Sequence, residues 1–421
     1  MSRPALVIWQ DSSEWGGVDV LVQRLSAFLL AAEFPHKVVQ AHGSRLWEEL
    51  APEVRAPPDE AAAWLAEAEV VLLPSIAKMR SLTLMRQEFG GARVIGWVVQ
   101  PTDVLTAFFP FASKVLPLIG LRSSWAFRRL FPRHFRTVEQ AFRRLMEGQG
   151  LLFMDGATRR QFDDLFPALS KVEAPLLPIP SPLGTGVAGS PGEADGVLRI
   201  GYLGRVDDMK WSALGSLISA TLAPLAQQRT IRLVAVAEGS RMADLRSACD
   251  RAGIELDERG FLPNAEARHL LAGGTDVILA MGTAALDLAA CGKPVIIIDP
   301  VLRRSAPPQR LFRFLHEAEE FCLGEFRDAP SYVPGLRSFA DCLAMVGSPD
   351  LPERAARYVR ECHDPDRIFE RLLRLLEQSS AKAGALKQDM LAIDRSFRKL
   401  SPRYRRSVRR SSAAGPSISS S

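Results

Sequence analysis

The feature that most constrains this chain is an alternation of short apolar runs with helical stretches that occurs twice. Strand-like runs at residues 6–9, 37–40, 70–73 and 94–99 are interleaved with helical stretches at 18–31 and 60–68. A second series places strands at 198–203, 231–236, 277–279 and 295–298, with helices at 242–252, 265–271 and 283–290 between them. Apolar strands that alternate with helices form parallel sheets covered on both faces. The expected fold class is therefore α/β, with two Rossmann-like doubly wound domains facing each other across a cleft. Between the two series, residues 174–196 are dense in Pro, Gly and Ala, which marks an interdomain linker and puts the boundary near residue 185. This divides the chain into an N-terminal domain, 1–185, a C-terminal domain, 186–380, and a basic low-complexity tail, 381–421, expected to be disordered.

A length of 421 residues fits two cores better than one. No apolar run approaches the roughly 20 residues of a membrane-spanning helix. The first residues read as a strand rather than as a signal peptide. Five cysteines, all in the second half and never spaced C-x-x-C, suggest neither a disulfide framework nor a zinc site, so a cytoplasmic location is expected, with the inner face of the membrane as an option. The net charge of +5 comes from the tail: Arg395, Arg398, Lys399, Arg403, Arg405, Arg406, Arg409 and Arg410 have no acidic residue among them and outweigh the whole excess. The body gives no case for nucleic-acid binding. The tail reads either as a solvated segment or as a contact for anionic lipid.

Residues 105–145 break the rhythm. Phe108, Phe109, Phe111, Trp125, Phe127, Phe131 and Phe135 are set among Arg122, Arg128, Arg129, Arg133, Arg136, Arg143 and Arg144. Rings and guanidinium groups in that mixture suit a membrane interface, and they suit equally helices packed on the N-terminal sheet with a solvated basic face.

Three segments carry candidate chemistry. Trp15-Gly16-Gly17-Val18-Asp19 joins the first strand to the first helix; Gly16 and Gly17 would let backbone N–H groups approach a ligand, or serve a tight turn. Gly201-Tyr202-Leu203-Gly204-Arg205 ends the first strand of the second series, with Lys210 close behind. Ligands of open α/β sheets bind beyond the carboxyl ends of the strands, so Arg205 and Lys210 would stand at the cleft and stabilise a diphosphate leaving group. Arg205 could instead pair with Asp207 or Asp208. Gly282, Thr283 and Ala284 open a small-residue helix whose N–H groups would cradle phosphate, and Asp287 one turn on would accept from ribose hydroxyls or sit solvated on the helix. The adjacent pairs Asp163-Asp164 and Asp207-Asp208 diverge on either helix or strand, and no D-x-D or clustered-histidine metal site is evident.

Taken in order, W-G-G-V-D, H-K-V-V, I-G-Y-L-G-R-V with Lys210, G-F-L-P-N, T-D-V-I-L and D-L-A-A-C-G-K-P-V-I resemble the retaining GT-B glycosyltransferases of bacterial polysaccharide and lipopolysaccharide synthesis, over residues 6 to 300. The resemblance implies metal-independent transfer of a sugar, with retention, from a nucleoside diphosphate sugar to a glycan or lipid-linked acceptor hydroxyl. It places the donor on the C-terminal domain at Gly204, Arg205, Lys210, Gly282, Thr283, Ala284 and Asp287, with Gly16 and Gly17 across the cleft, and implies no cofactor. Two departures stand out. The family has two glutamates separated by seven residues where this chain has Leu279 and Asp287. In place of the family's active-site histidine the chain reads Trp97-Val98-Val99-Gln100-Pro101-Thr102-Asp103, with Asp103 the nearest polar candidate; His134 lies in the arginine-rich insertion. The loss of the first glutamate leaves open a non-catalytic GT-B-like scaffold that binds a nucleotide sugar or glycan, and an epimerase on the same fold is a further alternative.

Overall fold

Leu6–Trp9 (β1) is buried along its whole length, as a strand must be when helices cover both faces of its sheet. The computed structural model containing it describes residues 5–11, 15–84, 91–100, 102–109, 112, 118, 123–182, 184, 196–302 and 307–400. β1 lies at the centre of a six-stranded sheet with His36–Val39 (β2), Arg55–Ala56 (β3), Val70–Leu73 (β4), Arg93–Val98 (β5) and Leu151–Phe153 (β6), in the order β3-β2-β1-β4-β5-β6. All of its pairings are parallel. Leu198–Arg205 (β7), Ile231–Glu238 (β8), Glu255–Glu258 (β9), Val277–Ala280 (β10) and Val295–Ile297 (β11) form the second sheet, also parallel, in the order β11-β10-β7-β8-β9. In each sheet the strand order reverses beside the first strand of its series, and this is where doubly wound folds open a crevice for ligands. The short β3, β6 and β9 were not expected from the sequence; β9, Glu-Leu-Asp-Glu, is an edge strand without an apolar run.

Gly17–Ala31 (α1) leaves β1 through the glycine pair. Its buried Leu21, Leu25 and Leu29 recur every fourth residue, one stripe of a helix against the sheet. Those side chains belong to a core that crosses between the domains, reaching Ala285, Leu288, Phe369 and Leu372, with the Phe28 and Phe369 rings 4.9 Å apart. Phe369 lies on the helix Pro365–Gln378, which thus packs back onto the N-terminal domain.

The tail expected from residue 381 is corrected in its first half. Ala383–Leu400 is a helix, and Leu386, Met390 and Ile393 are buried in the core of the N-terminal domain. Residues 401–421 lie outside the described residues. Of the two readings of the aromatic insertion, the packed one holds for these rings: Phe108, Phe109, Phe127 and Phe135 are buried in that same core, and Phe131 packs against it. His134 is buried as well, bonded to the Phe108 carbonyl and to Ser396 Oγ of the C-terminal helix. Trp125 and Leu130 remain exposed on the helix Ser123–Leu130. Phe111, Arg122 and most of the linker, residue 183 and residues 185–195, lie outside the described residues.

Candidate functional site

A cavity of about 340 Å³ opens between the carboxyl ends of the two sheets. Gly16, Gly17, Gly204, Arg205, Lys210, Gly282, Thr283, Ala284 and Asp287 all line it, which brings together three segments separated by up to 271 residues of chain. Asp103 is not among its lining residues.

On the N-terminal side the glycine loop is held by Asp19. Its carboxylate accepts from the Gly16 N–H at 2.8 Å and from Gln10 Nε2 at 3.0 Å, and burial pushes its pKa up. This fixes the loop close against the other domain: a Cβ on Gly17 would stand 3.3 Å from Thr283 Oγ1. A side chain at position 17 would therefore press on Thr283 of the other domain, which would have to give by a few tenths of an ångström.

On the C-terminal side, β7 ends at Arg205. Asp207 caps the next helix by accepting from the Lys210 N–H at 3.0 Å, which turns the Lys210 ammonium back toward the strand end, 3.2 Å from where a Gly204 Cβ would lie. Burial holds the Lys210 pKa below the usual lysine range, against the pull of Asp207. Arg205 does approach Asp207, at 3.9 Å, but both side chains are substantially exposed and such a pair contributes little. Asp208 is paired with Arg241 instead.

Gly282, at φ +66°, turns the chain from β10 into the helix Thr283–Ala289 in a conformation that a side chain would strain. One expectation changes here: the Gly282 N–H is donated to the Leu323 carbonyl at 2.9 Å, so it is not free to hold phosphate. Thr283 and Ala284 sit in the first helical turn, where N–H groups have no intrahelical acceptor. Asp287 is neither solvated nor open. One terminal nitrogen of Arg24 on α1 reaches both carboxylate oxygens, at 2.7 and 3.0 Å, while Ser181 Oγ at 3.1 Å and Asn264 Nδ2 at 3.4 Å also donate to it.

Leu279, where the resembled family carries its first glutamate, is fully buried in the core of the second domain. An acid does line the cavity nearby: Glu238 ends β8 in register with Arg205. Sequence reasoning missed it, although its place at a strand's carboxyl end was a usable signal. Arg24, Thr158 and Gln161 were also missed, because nothing local distinguishes them, while Trp15, Gln100, Phe261 and Asn264 stood inside motifs read from the sequence but were given no role of their own.

Asp103 sits at the start of the helix Thr102–Phe108, beside the cavity residue Gln100. It accepts from Ser75 Oγ at 2.8 Å, and burial raises its pKa to about 6 against the pull of Ser75 and Lys78. Lys78 in turn donates to the Asp11 carbonyl.

No protein-family model matches the chain, and no curated protein matches it in sequence. Solved structures do match over most of its length. The lipopolysaccharide outer core galactosyltransferase WaaB, in its apo form, superposes with a TM-score of 0.52 at 13% identity, covering 88% of this chain and 98% of its own. A glycosyltransferase from Rickettsia africae gives 0.53 at 13%, covering 90% and 98%. A variant of TarM from S. aureus, in complex with fondaparinux, α-GlcNAc-glycerol and UDP, gives 0.52 at 8%, covering 89% and 100%. The chain has the GT-B fold. At these identities the likeness is one of architecture, so the chemistry of this GT-B chain has to be argued from its own cleft. Among the described residues no group of three or more His, Cys, Asp or Glu is placed to hold a metal ion, and no helix is long and apolar enough to cross a membrane.

Proposed function

We propose that this chain transfers a sugar from a nucleoside diphosphate sugar to an acceptor hydroxyl, with retention and without a metal. The observation that carries the reading is the convergence of Arg205, Lys210 and the start of the Thr283–Ala289 helix on one side of a cavity, with the Gly16–Gly17 loop on the other. As the bond from sugar to diphosphate breaks, charge grows on the leaving phosphate. The Arg205 guanidinium and the desolvated Lys210 ammonium are suited to that charge once a bound donor excludes water from the cleft, where such a donor group is worth several kcal/mol. Glu238, across from Arg205 on the neighbouring strand, is suited to accept from hydroxyls of the donor sugar, the service that Leu279 does not supply. Asp103 does not line the cavity itself, and it is suited to accept a proton from the acceptor side only through an intervening water, since its raised pKa of about 6 lies near neutrality.

A glycan or lipid-linked acceptor would approach from the N-terminal domain. Trp125, 66% exposed, and Leu130 are accompanied by Arg129, which lies 5.7 Å from the Trp125 ring, and this favours contact with anionic membrane. Binding of the protein to anionic vesicles, reduced in a Trp125→Ala, Leu130→Ala double variant, is the expected result; equal binding would remove the membrane from the reading.

A non-catalytic, ligand-binding role is favoured by a different observation, the engagement of Asp287 by Arg24, Ser181 and Asn264. The deciding experiment offers UDP-, GDP-, ADP- and dTDP-sugars in turn and follows release of nucleoside diphosphate with and without glycan acceptors. Turnover that Arg205→Ala and Lys210→Ala abolish establishes the transferase. Ligand-induced stabilisation without turnover establishes the scaffold.

A further inference from the structure

The charged side chains that line the cavity, Arg205, Lys210, Glu238 and Asp287, all come from the C-terminal domain. Among the described residues the N-terminal wall contributes none. Around the carboxyl ends of β5 and β6 its polar side chains are Gln100, past the end of β5, and Thr158 and Gln161, on the helix Gly156–Leu165 that follows β6. The two strands are neighbours in the sheet, so these side chains are presented together, with apolar Val99 and Met154 lining the cavity beside them.

Gln161 is only 6% exposed, and its Oε1 is buried with no hydrogen-bond partner among the described residues. Buried polar atoms are nearly always paired, so one left unpaired on the wall of a cavity points to a ligand group that completes it. Its two polar neighbours are already engaged. The Thr158 hydroxyl bonds the buried Asp155 carboxylate, and Gln100 Nε2 donates to Thr102 Oγ1 at 3.1 Å, which leaves the amide oxygen as the remaining polar end of Gln100.

A carboxamide offers an acceptor and a donor side by side, and it can turn about its last bond to exchange them. Two adjacent hydroxyls of a sugar ring present the matching pair, one donating and the other accepting. A phosphate or carboxylate would find no cation on this wall and an ammonium no anion, so each would be desolvated there without a counter-charge.

We propose that Gln161 determines the acceptor: with Gln100 beside it, its carboxamide bonds two neighbouring hydroxyls of an uncharged sugar ring, while Val99 and Met154 meet the C–H face of that ring. The proposal rests on the reading of the cavity as a site of glycosyl transfer. It narrows the acceptor to a glycan whose reacting ring carries no phosphate, carboxylate or amine.

The test supplies the full chain with UDP-glucose, GDP-mannose, ADP-glucose or dTDP-glucose and measures kcat and KM for two sets of acceptors. The methyl glycosides of glucose, galactose, mannose and N-acetylglucosamine are the neutral set; glucose 6-phosphate, methyl glucuronide and methyl glucosaminide are the charged one. The neutral set should be used, and the charged set should fall at least about tenfold lower in kcat/KM for want of a counter-charge. Gln161→Ala, checked for an unchanged circular dichroism spectrum, should raise KM for the best neutral acceptor about tenfold through the loss of two neutral hydrogen bonds, with the calorimetric affinity for the nucleoside diphosphate unchanged. Gln161→Glu keeps the size of the side chain and sets an anion in the wall, so preference should turn from methyl glucoside toward methyl glucosaminide, a change that a merely structural side chain would not bring. Equal acceptor KM in the parent and Gln161→Ala, or a charged acceptor used as well as the neutral ones, overturns the proposal. So does a parent that binds UDP, GDP, ADP or dTDP but transfers to none of the neutral glycosides, and that result leaves the diphosphate site standing. A parent that binds none of the four overturns the reading of Arg205 and Lys210, and the proposal with it.

Discussion

Arg24 of α1 and Asp287 of the Thr283–Ala289 helix meet across the cleft, one arginine nitrogen against both carboxylate oxygens, with only 13% and 3% of their side chains exposed. The arginine also donates to the Pro180 carbonyl in the segment that joins the domains, so three parts of the chain are tied at one point. The pair lies at the edge of the cavity in which Asp287 was expected to meet a ribose.

Removing one partner of a buried pair strands the other charge, at a typical cost of about 3–5 kcal/mol. Asp287→Ala should therefore lose roughly 3 kcal/mol in urea unfolding, and the double variant Arg24→Ala, Asp287→Ala should lose less than the sum of the singles. Additive losses would show that the two residues act independently.

Arg205 is close to solvent, whereas its proposed work is done only as the leaving diphosphate gains charge. Arg205→Ala should lower kcat by about 100-fold or more while shifting Tm little. Glu238→Gln should behave differently, raising KM for the sugar nucleotide about tenfold with affinity for the free nucleoside diphosphate unchanged, because a carboxylate that bonds sugar hydroxyls touches only the intact donor. A Glu238→Gln variant that lost nucleoside diphosphate as well would assign that residue to the phosphates.

Asp155 caps the helix Gly156–Leu165 through the Thr158 N–H, yet it is fully buried, and burial raises its pKa to about 6. The folded state thus binds its proton more tightly than the unfolded chain does. Its contribution is fully present below the unfolded pKa near 4 and is lost as pH rises through 6, on the order of 2–3 kcal/mol at one pKa unit per 1.36 kcal/mol. Asp155→Asn keeps a side-chain acceptor for the cap and cannot ionise. Relative to the parent it should gain stability between pH 4 and 7, and a difference that stays flat over that range would contradict the raised pKa.

Met390 is buried against the N-terminal domain from the last described helix. Met390→Ala should cost about 2–4 kcal/mol, as large-to-small changes in a core do. Ending the chain at residue 382 should cost more, since Leu386 and Ile393 leave with it; an unchanged Tm would return that helix to the status of a tail.

The sequence determined the two sheets and the order of the cavity segments, because a strand covered on both faces must be continuously apolar and a sharp strand-to-helix turn needs glycine. Residues 6–9, 198–203 and 277–279 carry the first signal, and Gly16, Gly17, Gly204 and Gly282 the second. The helix that carries Met390 was misread because the basic run at its end and beyond it colours the whole segment, while the apolar side chains that anchor it are spaced for a partner lying about 250 to 300 residues earlier in the chain. The same holds at the site. Arg24, Glu238 and Gln161 have ordinary neighbours in the chain, and what they do depends on the distance between two domains. Local pattern encodes which surface an element buries; the way the two domains close on each other decided that Asp287 meets Arg24 and that Gln161 lines one cavity with Arg205, since charge pairing and hydrogen bonding act over a few ångströms of space and are blind to separation in sequence.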